Sequence, residues 1–150
     1  MNSENRVYDT FNEVLVKLFN DIMHIEEKAI ITEEFKDISN NDMHIIEAIG
    51  ITEPKNMSQV AKVLSVTVGT LTIAINNLVK KGYVDRVRSE KDRRVVYISL
   101  SDKGRKAYEH HAKFHREMIH ATINGLSTEE ANVLVKALEN LVGFFRDWNH

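Results

Sequence analysis

The run Ser58-Gln59-Val60-Ala61-Lys62-Val63-Leu64-Ser65-Val66-Thr67-Val68-Gly69-Thr70-Leu71-Thr72-Ile73-Ala74-Ile75-Asn76-Asn77-Leu78-Val79-Lys80-Lys81-Gly82 decides the fold. Its first part predicts a short amphipathic helix, with Ser58 as candidate N-cap for the free backbone N–H groups of the first turn. Ser65-Val66 interrupts the period, and Thr67 is a second candidate N-cap. A new helix is predicted from Val68 to Lys81, ended by Gly82 because glycine readily adopts the left-handed conformation that closes helices. Leu71, Ala74, Ile75 and Leu78 recur at helical spacing and are expected to pack inward.

The opposite face of that second helix collects Gly69, Ile73, Asn76 and Lys80, with Thr70, Thr72 and Asn77 on its margins. A solvated helix normally carries charges there. Small, hydroxyl and amide side chains instead match the donors, acceptors and thymine methyls of base edges, and glycine permits close approach. Two strand-like runs follow, Tyr83 to Arg88 and Arg94 to Leu100, joined by the polar connection Ser89-Glu90-Lys91-Asp92-Arg93. A basic β-hairpin in this position is a wing. Taken alone, the helix pair is common in small helical domains and the arginines suit any solvated turn; their order and spacing together are specific. The expected fold is mostly α with a small β-wing: a winged helix-turn-helix over 41–100, and a helical dimerisation region from 1–40 and 101–150.

Charge supports contact with phosphate through its distribution, not its sum. The 150 residues carry a net −2. Residues 80–106 hold ten Lys or Arg against four acids, whereas residues 1–56 hold five against twelve. A positive patch on an acidic body attracts and orients a polyanion. Within the patch, Arg86, Arg88, Lys91, Asp92, Arg93 and Arg94 join Ser58, Thr67 and the second helix's outer face as candidate DNA-binding residues. With no cysteine, disulfides, thiolate zinc sites and cysteine nucleophiles are excluded. No apolar run of 18 residues and no signal-peptide pattern occurs, so the expected location is the cytoplasm, without membrane contact.

Around this stretch, Arg6 to Lys28 reads as a long helix with Val7, Phe11, Val14, Leu15, Leu18, Ile22 and Ile25 at helical spacing. Ala29 to Asn40, with Ile30, Ile31 and Phe35, reads as a connection. Ser39 or Asn41 can cap a helix from Asp42 to Ile49, stopped by Gly50, and Pro54 lies in a polar link. After the wing, Ser101 can cap a helix from Asp102 to Asn124; Gly125 ends it. Ser127-Thr128-Glu129-Glu130 is a capping box for a last helix with Ala131, Leu134, Leu138, Leu141, Phe145 and Trp148 as its apolar stripe. The terminal helices carry more apolar surface than a small winged domain covers, which points to a homodimer presenting two reading helices to an inverted-repeat operator.

This order of elements resembles the MarR family of dimeric transcriptional regulators along the whole chain. Its signature here is Asp92-Arg93-Arg94, then Val95-Val96 and Leu100-Ser101-Asp102-Lys103-Gly104. The resemblance implies that Arg93 or Arg94 probes the minor groove while Asp92 braces the hairpin by pairing with the other. Ile25-Glu26-Glu27, Phe35-Lys36-Asp37-Ile38-Ser39, Met43-His44, Ile49-Gly50, Arg88 to Val96 and Phe114-His115-Arg116-Glu117-Met118 are similar to FabT-type members, which repress fatty-acid synthesis in Gram-positive bacteria. That likeness implies long-chain acyl-acyl carrier protein as corepressor. Phe19, Ile22, Met23, Met43, Ile46, Phe114 and Met118 supply adaptable apolar surface for an acyl chain, although each is also an ordinary core residue type.

Histidine offers an alternative signal. His111 and His115 stand i, i+4 on one helix, and His44 with Glu26 or Glu27 could complete a zinc site if the first, second and fifth helices converge. Some MarR members sense zinc near this place. An enzyme is not expected, because there is no phosphate-cradling glycine loop, no Gly-x-Ser-x-Gly elbow and no nucleophile paired with a base. No cofactor is required. A winged-helix module that binds only protein is the alternative of a different class; it needs neither the amide-rich face nor the wing arginines.

Overall fold

The computed structural model describes residues 3–30, 32 and 34–148; Ile31, and the side chain of Ile30, lie outside what it describes. Its elements are α1 (Ser3–Glu13), a π-helical turn (Val14–Leu18), α2 (Phe19–Ile30), α3 (Asn40–Ile49), β1 (Lys55–Asn56), α4 (Met57–Leu64), α5 (Val68–Lys80), β2 (Val84–Arg88), β3 (Val96–Leu100), α6 (Asp102–Ile123) and α7 (Thr128–Trp148). The chain divides into two compact units, Met1–Lys113 and Phe114–His150.

Local capping fixes most boundaries. Ser39, not Asn41, caps α3: its hydroxyl accepts from Asp42 N at 3.1 Å while Asp42 accepts from Ser39 N at 3.1 Å. Gly50 closes that helix with φ +70°, a left-handed value that costs other residues energy. Ser101 Oγ accepts from Gly104 N at 3.1 Å at the start of α6. Ser127 and Glu130 exchange side-chain-to-backbone bonds of 3.1 Å ahead of α7, which is the expected capping box.

The link expected to be featureless contains β1. Lys55 pairs with Ile98 and Asn56 with Tyr97, so the sheet has three antiparallel strands in the order β1-β3-β2. A two-residue strand has no period to read, and only its partner some forty residues away defines it.

The core of the first unit lies between α3, α4, α5, the sheet and the start of α6. Met43, Ile45, Ile46 and Ile49 meet Val60, Leu71, Ile75, Leu78, Val84, Ile98 and Leu100, all buried. Tyr83, fully buried, joins these elements. Its hydroxyl donates to Asp37 Oδ1 at 2.6 Å, its carbonyl accepts from Ser101 N at 3.0 Å, and the Lys103 ammonium sits 4.4 Å above its ring. α6 can pass this point only because residue 104 is glycine: a Cβ there would lie 2.1 Å from the Tyr83 carbonyl oxygen. By contrast α1 and α7 bury nothing; Val7, Phe11, Val133, Val142, Phe145 and Trp148 are each more than half exposed.

Two outcomes follow from the Tyr83 cluster. Gly104→Ala must displace backbone and is expected to lower stability by about 1–3 kcal/mol in urea denaturation. The pH dependence has two limbs. The Tyr83 hydrogen bond, aided by Lys103 and Lys81, holds the Asp37 carboxyl below its usual range, while burial and then Asp37 push the Tyr83 hydroxyl up. The Asp37 contribution is therefore present above about pH 4 and lost as pH falls through its folded value. The Tyr83 contribution is present below about pH 10 and lost as pH rises through its folded value. Tyr83→Phe should remove the alkaline limb and shrink the acid one in thermal melts across pH.

Candidate nucleic-acid interface

α4 and α5 meet at a bend of 106° across Ser65-Val66-Thr67, within the range of a helix-turn-helix. Ser65 makes the turn in the left-handed region, φ +55°, the single non-glycine to do so among the described residues. α4 begins two residues earlier than the sequence suggests. Its cap is Asn56, which accepts from Gln59 N at 2.9 Å while Gln59 accepts from Asn56 N at 3.0 Å. Ser58 is an exposed residue of the first turn. An Asn-x-x-Gln box was legible in the sequence, but the serine two residues later competed with it.

Thr67 caps α5 as expected, accepting from Thr70 N at 3.1 Å and donating its own proton to Thr70 Oγ1 at 2.9 Å. Leu71, Ile75 and Leu78 are buried, and Ala74 packs against them. The outer face presents Gly69, Thr70, Ile73, Asn77 and Lys80 to solvent, with Thr72 and Asn76 half-buried beside them. Ile73 is 68% exposed, an apolar side chain the monomer does not cover. Nothing inside the chain requires a glycine at 69: an added Cβ would meet only Thr67 Oγ1, at 3.9 Å.

In the wing, Val84, Arg86 and Arg88 share one face of β2 by the two-residue period. Val84 enters the core, and Arg86, next on that face, reaches Asn76 of α5 and donates Nη1–H to its Oδ1. Arg88, Lys91 and Arg93 are exposed. β3 starts at Val96, not at Arg94, because the tip uses Arg94's backbone in a turn: Asp92 Oδ1 accepts from Arg94 N at 3.1 Å. The same carboxylate takes Arg94's guanidinium in a two-pronged pair, Nε to Oδ1 and Nη2 to Oδ2, each 3.0 Å. Arg94 holds the Asp92 carboxyl below the usual range, and the pair raises Arg94 in turn. Arg94, not Arg93, is thus the arginine that Asp92 engages.

The apolar candidates separate. Met43 and Ile46 are buried in the winged core and offer no free surface; their helix face points at α4 and the sheet, which periodicity alone does not reveal. Phe19 and Met23 are exposed and Ile22 is half-buried in the first unit; Phe114 and Met118 are half-buried in the second.

Among the histidines, His111 is 1% exposed. Its Nε2 lies 2.8 Å from Glu47 Oε1 and 3.4 Å from Glu26 Oε1. Carboxylates only accept, so this nitrogen carries a proton. Glu47 takes the place expected for His44, which is exposed, as is Glu27. Spacing could not choose between His44 and Glu47, since both are within a turn on α3. His115 stacks edge-on with Phe114 at 5.9 Å in the second unit.

Comparison with known proteins places this geometry. Residues 26–111 match the family model for the transcriptional regulator SarA/Rot. The HTH-type transcriptional regulator PchR of Bacillus subtilis is 23% identical over 149 residues, 89% of this chain and 88% of that protein. FabT of Streptococcus pneumoniae, solved in complex with DNA, is 46% identical with a TM-score of 0.84, covering 94% of this chain and 99% of that one. A MarR mutant of E. coli complexed with operator DNA has the same fold, TM-score 0.60 at 24% identity over 87% of this chain and 96% of that one.

The corrected cap is directly testable. Asn56→Ala should cost about 1 kcal/mol in urea denaturation, whereas Ser58→Ala should stay within about 0.5 kcal/mol of wild type.

Proposed function

The chain belongs to the MarR family of winged-helix transcriptional regulators, and on that premise we propose that it is a DNA-binding repressor of fatty-acid synthesis genes. The observation that carries the DNA reading is an uncharged, half-exposed face on α5 beside a wing whose guanidinium is held in one direction. α5 enters the major groove and reads bases with Thr72, Ile73 and Asn76. Gly69 and Thr70 allow close approach, and Lys80, Arg88, Lys91 and Arg93 lie against phosphates. Brace and probe then meet on one arginine and not, as expected from the sequence, on two: Asp92 takes Nε and Nη2 of Arg94 and leaves Nη1 to the acceptors of the minor groove. Fixing a long side chain before binding lowers the ordering cost of inserting it.

The regulator acts as a homodimer. The exposed apolar rows of α1 and α7 support this, since each Val, Leu or Phe removed from water contributes about 1.5–3 kcal/mol. A two-fold pair of reading helices matches an inverted repeat with half-sites about one helical turn apart.

Long-chain acyl-acyl carrier protein is the corepressor. Two things support this reading: 46% identity to FabT along nearly the whole chain, and apolar Phe19, Ile22 and Met23 left incompletely covered on α2. In the second unit, half-buried Phe114 and Met118 are lipid-contact candidates in their own right. A bound chain that prefers the dimer spacing matching the operator raises DNA affinity by that preference. The cluster of His111, Glu26 and Glu47 favours a second reading, a zinc-responsive regulator: a metal replacing the Nε2 proton would find a nitrogen and two carboxylates of ordinary zinc-ligand type.

The deciding experiment is binding to duplex from the protein's own promoter region, with and without acyl carrier protein bearing a long acyl chain. Affinity should rise with the acylated carrier, and Ile22→Trp should abolish that rise while sparing basal binding. Zinc dependence, lost in a His111→Ala,His115→Ala variant and indifferent to carrier, would establish the second reading instead. Independently of ligand, Arg93→Ala,Arg94→Ala should weaken operator binding strongly, and Asp92→Asn should reproduce the Arg94→Ala loss. A double variant with wild-type affinity and salt slope would remove the wing from the DNA.

A further inference from the structure

Arg86 belongs to the basic wing by sequence, and its expected role there is contact with phosphate. Its position argues otherwise. Arg86 is exposed, but by strand period it lies on the same side of β2 as buried Val84, is paired with Ile98 of β3, and donates Nη1–H to Oδ1 of Asn76. A guanidinium has only donors, so whichever way the Asn76 amide is drawn, the group facing Arg86 must be the oxygen. Asn76 is half-buried, and its amide nitrogen is the end of the side chain that Arg86 does not engage. One turn earlier, Thr72 spends its hydroxyl proton on Val68 O at 2.7 Å and retains only acceptor capacity outward.

We propose that Arg86 is a specificity-determining positioning residue: by drawing Asn76 Oδ1 toward the wing, it makes the amide NH2, a donor, the group that this point of the reading helix offers to a base. The proposal rests on the reading of α5 as the major-groove helix. A free asparagine recognises adenine with both ends of its amide, the oxygen accepting from N6 and the nitrogen donating to N7. With its oxygen held toward Arg86 and not toward a base, Asn76 donates to purine N7, guanine O6 or thymine O4, and loses its means of preferring adenine over guanine. Thr72 supplies the complementary acceptor for cytosine N4 or adenine N6. The donor and acceptor order along the groove is thus set partly by a strand residue that need not touch DNA.

The test uses the full-length protein and duplexes that it enriches from a random pool, followed by every single-base-pair variant of the enriched sequence. Wild type, Asn76→Ala, Arg86→Ala, Arg86→Lys and the double variant Arg86→Ala,Asn76→Ala are compared at several salt concentrations. Asn76→Ala should flatten discrimination at one base pair per half-site by roughly tenfold. Arg86→Ala should change preference at that same pair, shifting it toward adenine, with the salt slope unchanged. Arg86→Lys, which keeps a donor beside the amide oxygen, should retain the wild-type order, and the double variant should discriminate like Asn76→Ala alone.

If Arg86→Ala weakens all duplexes equally and lowers the salt slope by about one, Arg86 is a phosphate contact and the inference is overturned while the reading helix stands. Additive losses of discrimination in the double variant overturn it equally. If Asn76→Ala leaves every base preference intact, the assignment of α5 fails, and the inference fails with it.

Discussion

Tyr83 is the point through which the first unit is held together. It lies between the end of α5 and the start of β2, buried on all sides, and three separate constraints meet on it. Its hydroxyl anchors the connection before α3 through Asp37, and its carbonyl receives the N–H of Ser101. The backbone of α6 runs so close to that carbonyl that residue 104 can carry no side chain. Lys103 adds its charge to both the ring and Asp37. A buried phenol without a partner would cost several times what a hydrogen bond contributes, so Asp37 is fixed there by necessity. The Phe35-Lys36-Asp37-Ile38 connection, which has no regular structure, is thereby tied to the helix-turn-helix.

That rigidity has a use at the surface. α5 is clamped from beneath by Leu71, Ile75 and Leu78 and at its end by the Tyr83 cluster, which leaves its outer residues in fixed positions. Hydrogen-bond readout of base edges requires such fixed donors and acceptors, because a side chain that must be ordered on binding returns little affinity. The same logic acts on the wing. Asp92 is an acid in the most basic part of the chain, an odd choice for a surface meeting phosphates. Its two-pronged hold fixes the direction of the Arg94 guanidinium.

The outer helices are built on opposite terms. In the first unit α1 and its π-helical turn, and in the second α7, leave rows of apolar side chains exposed to water. Buried His111, held between Glu47 and Glu26, ties α6 to α2 and α3 within the first unit.

By itself the sequence determined the helix-turn-helix, the wing and the two long C-terminal helices. These rest on interactions within four residues: the 3.6-residue period of Leu71, Ala74, Ile75 and Leu78, the caps at Thr67, Ser101 and Ser127, and the stop at Gly82. Capping and periodicity are short-range and leave a local mark in the chain. Where local signals competed, as at Asn56 and Ser58, the reading failed by one or two residues. Tertiary structure alone decided three other matters: the pairing of β1 with β3, the arrival of Glu47 and not His44 at His111, and the turning of the Asn76 amide by Arg86. Each joins residues from different elements, ten to sixty-odd positions apart, and such contacts have no period and no composition. They exist only once burial of the core has fixed where the helices and strands lie.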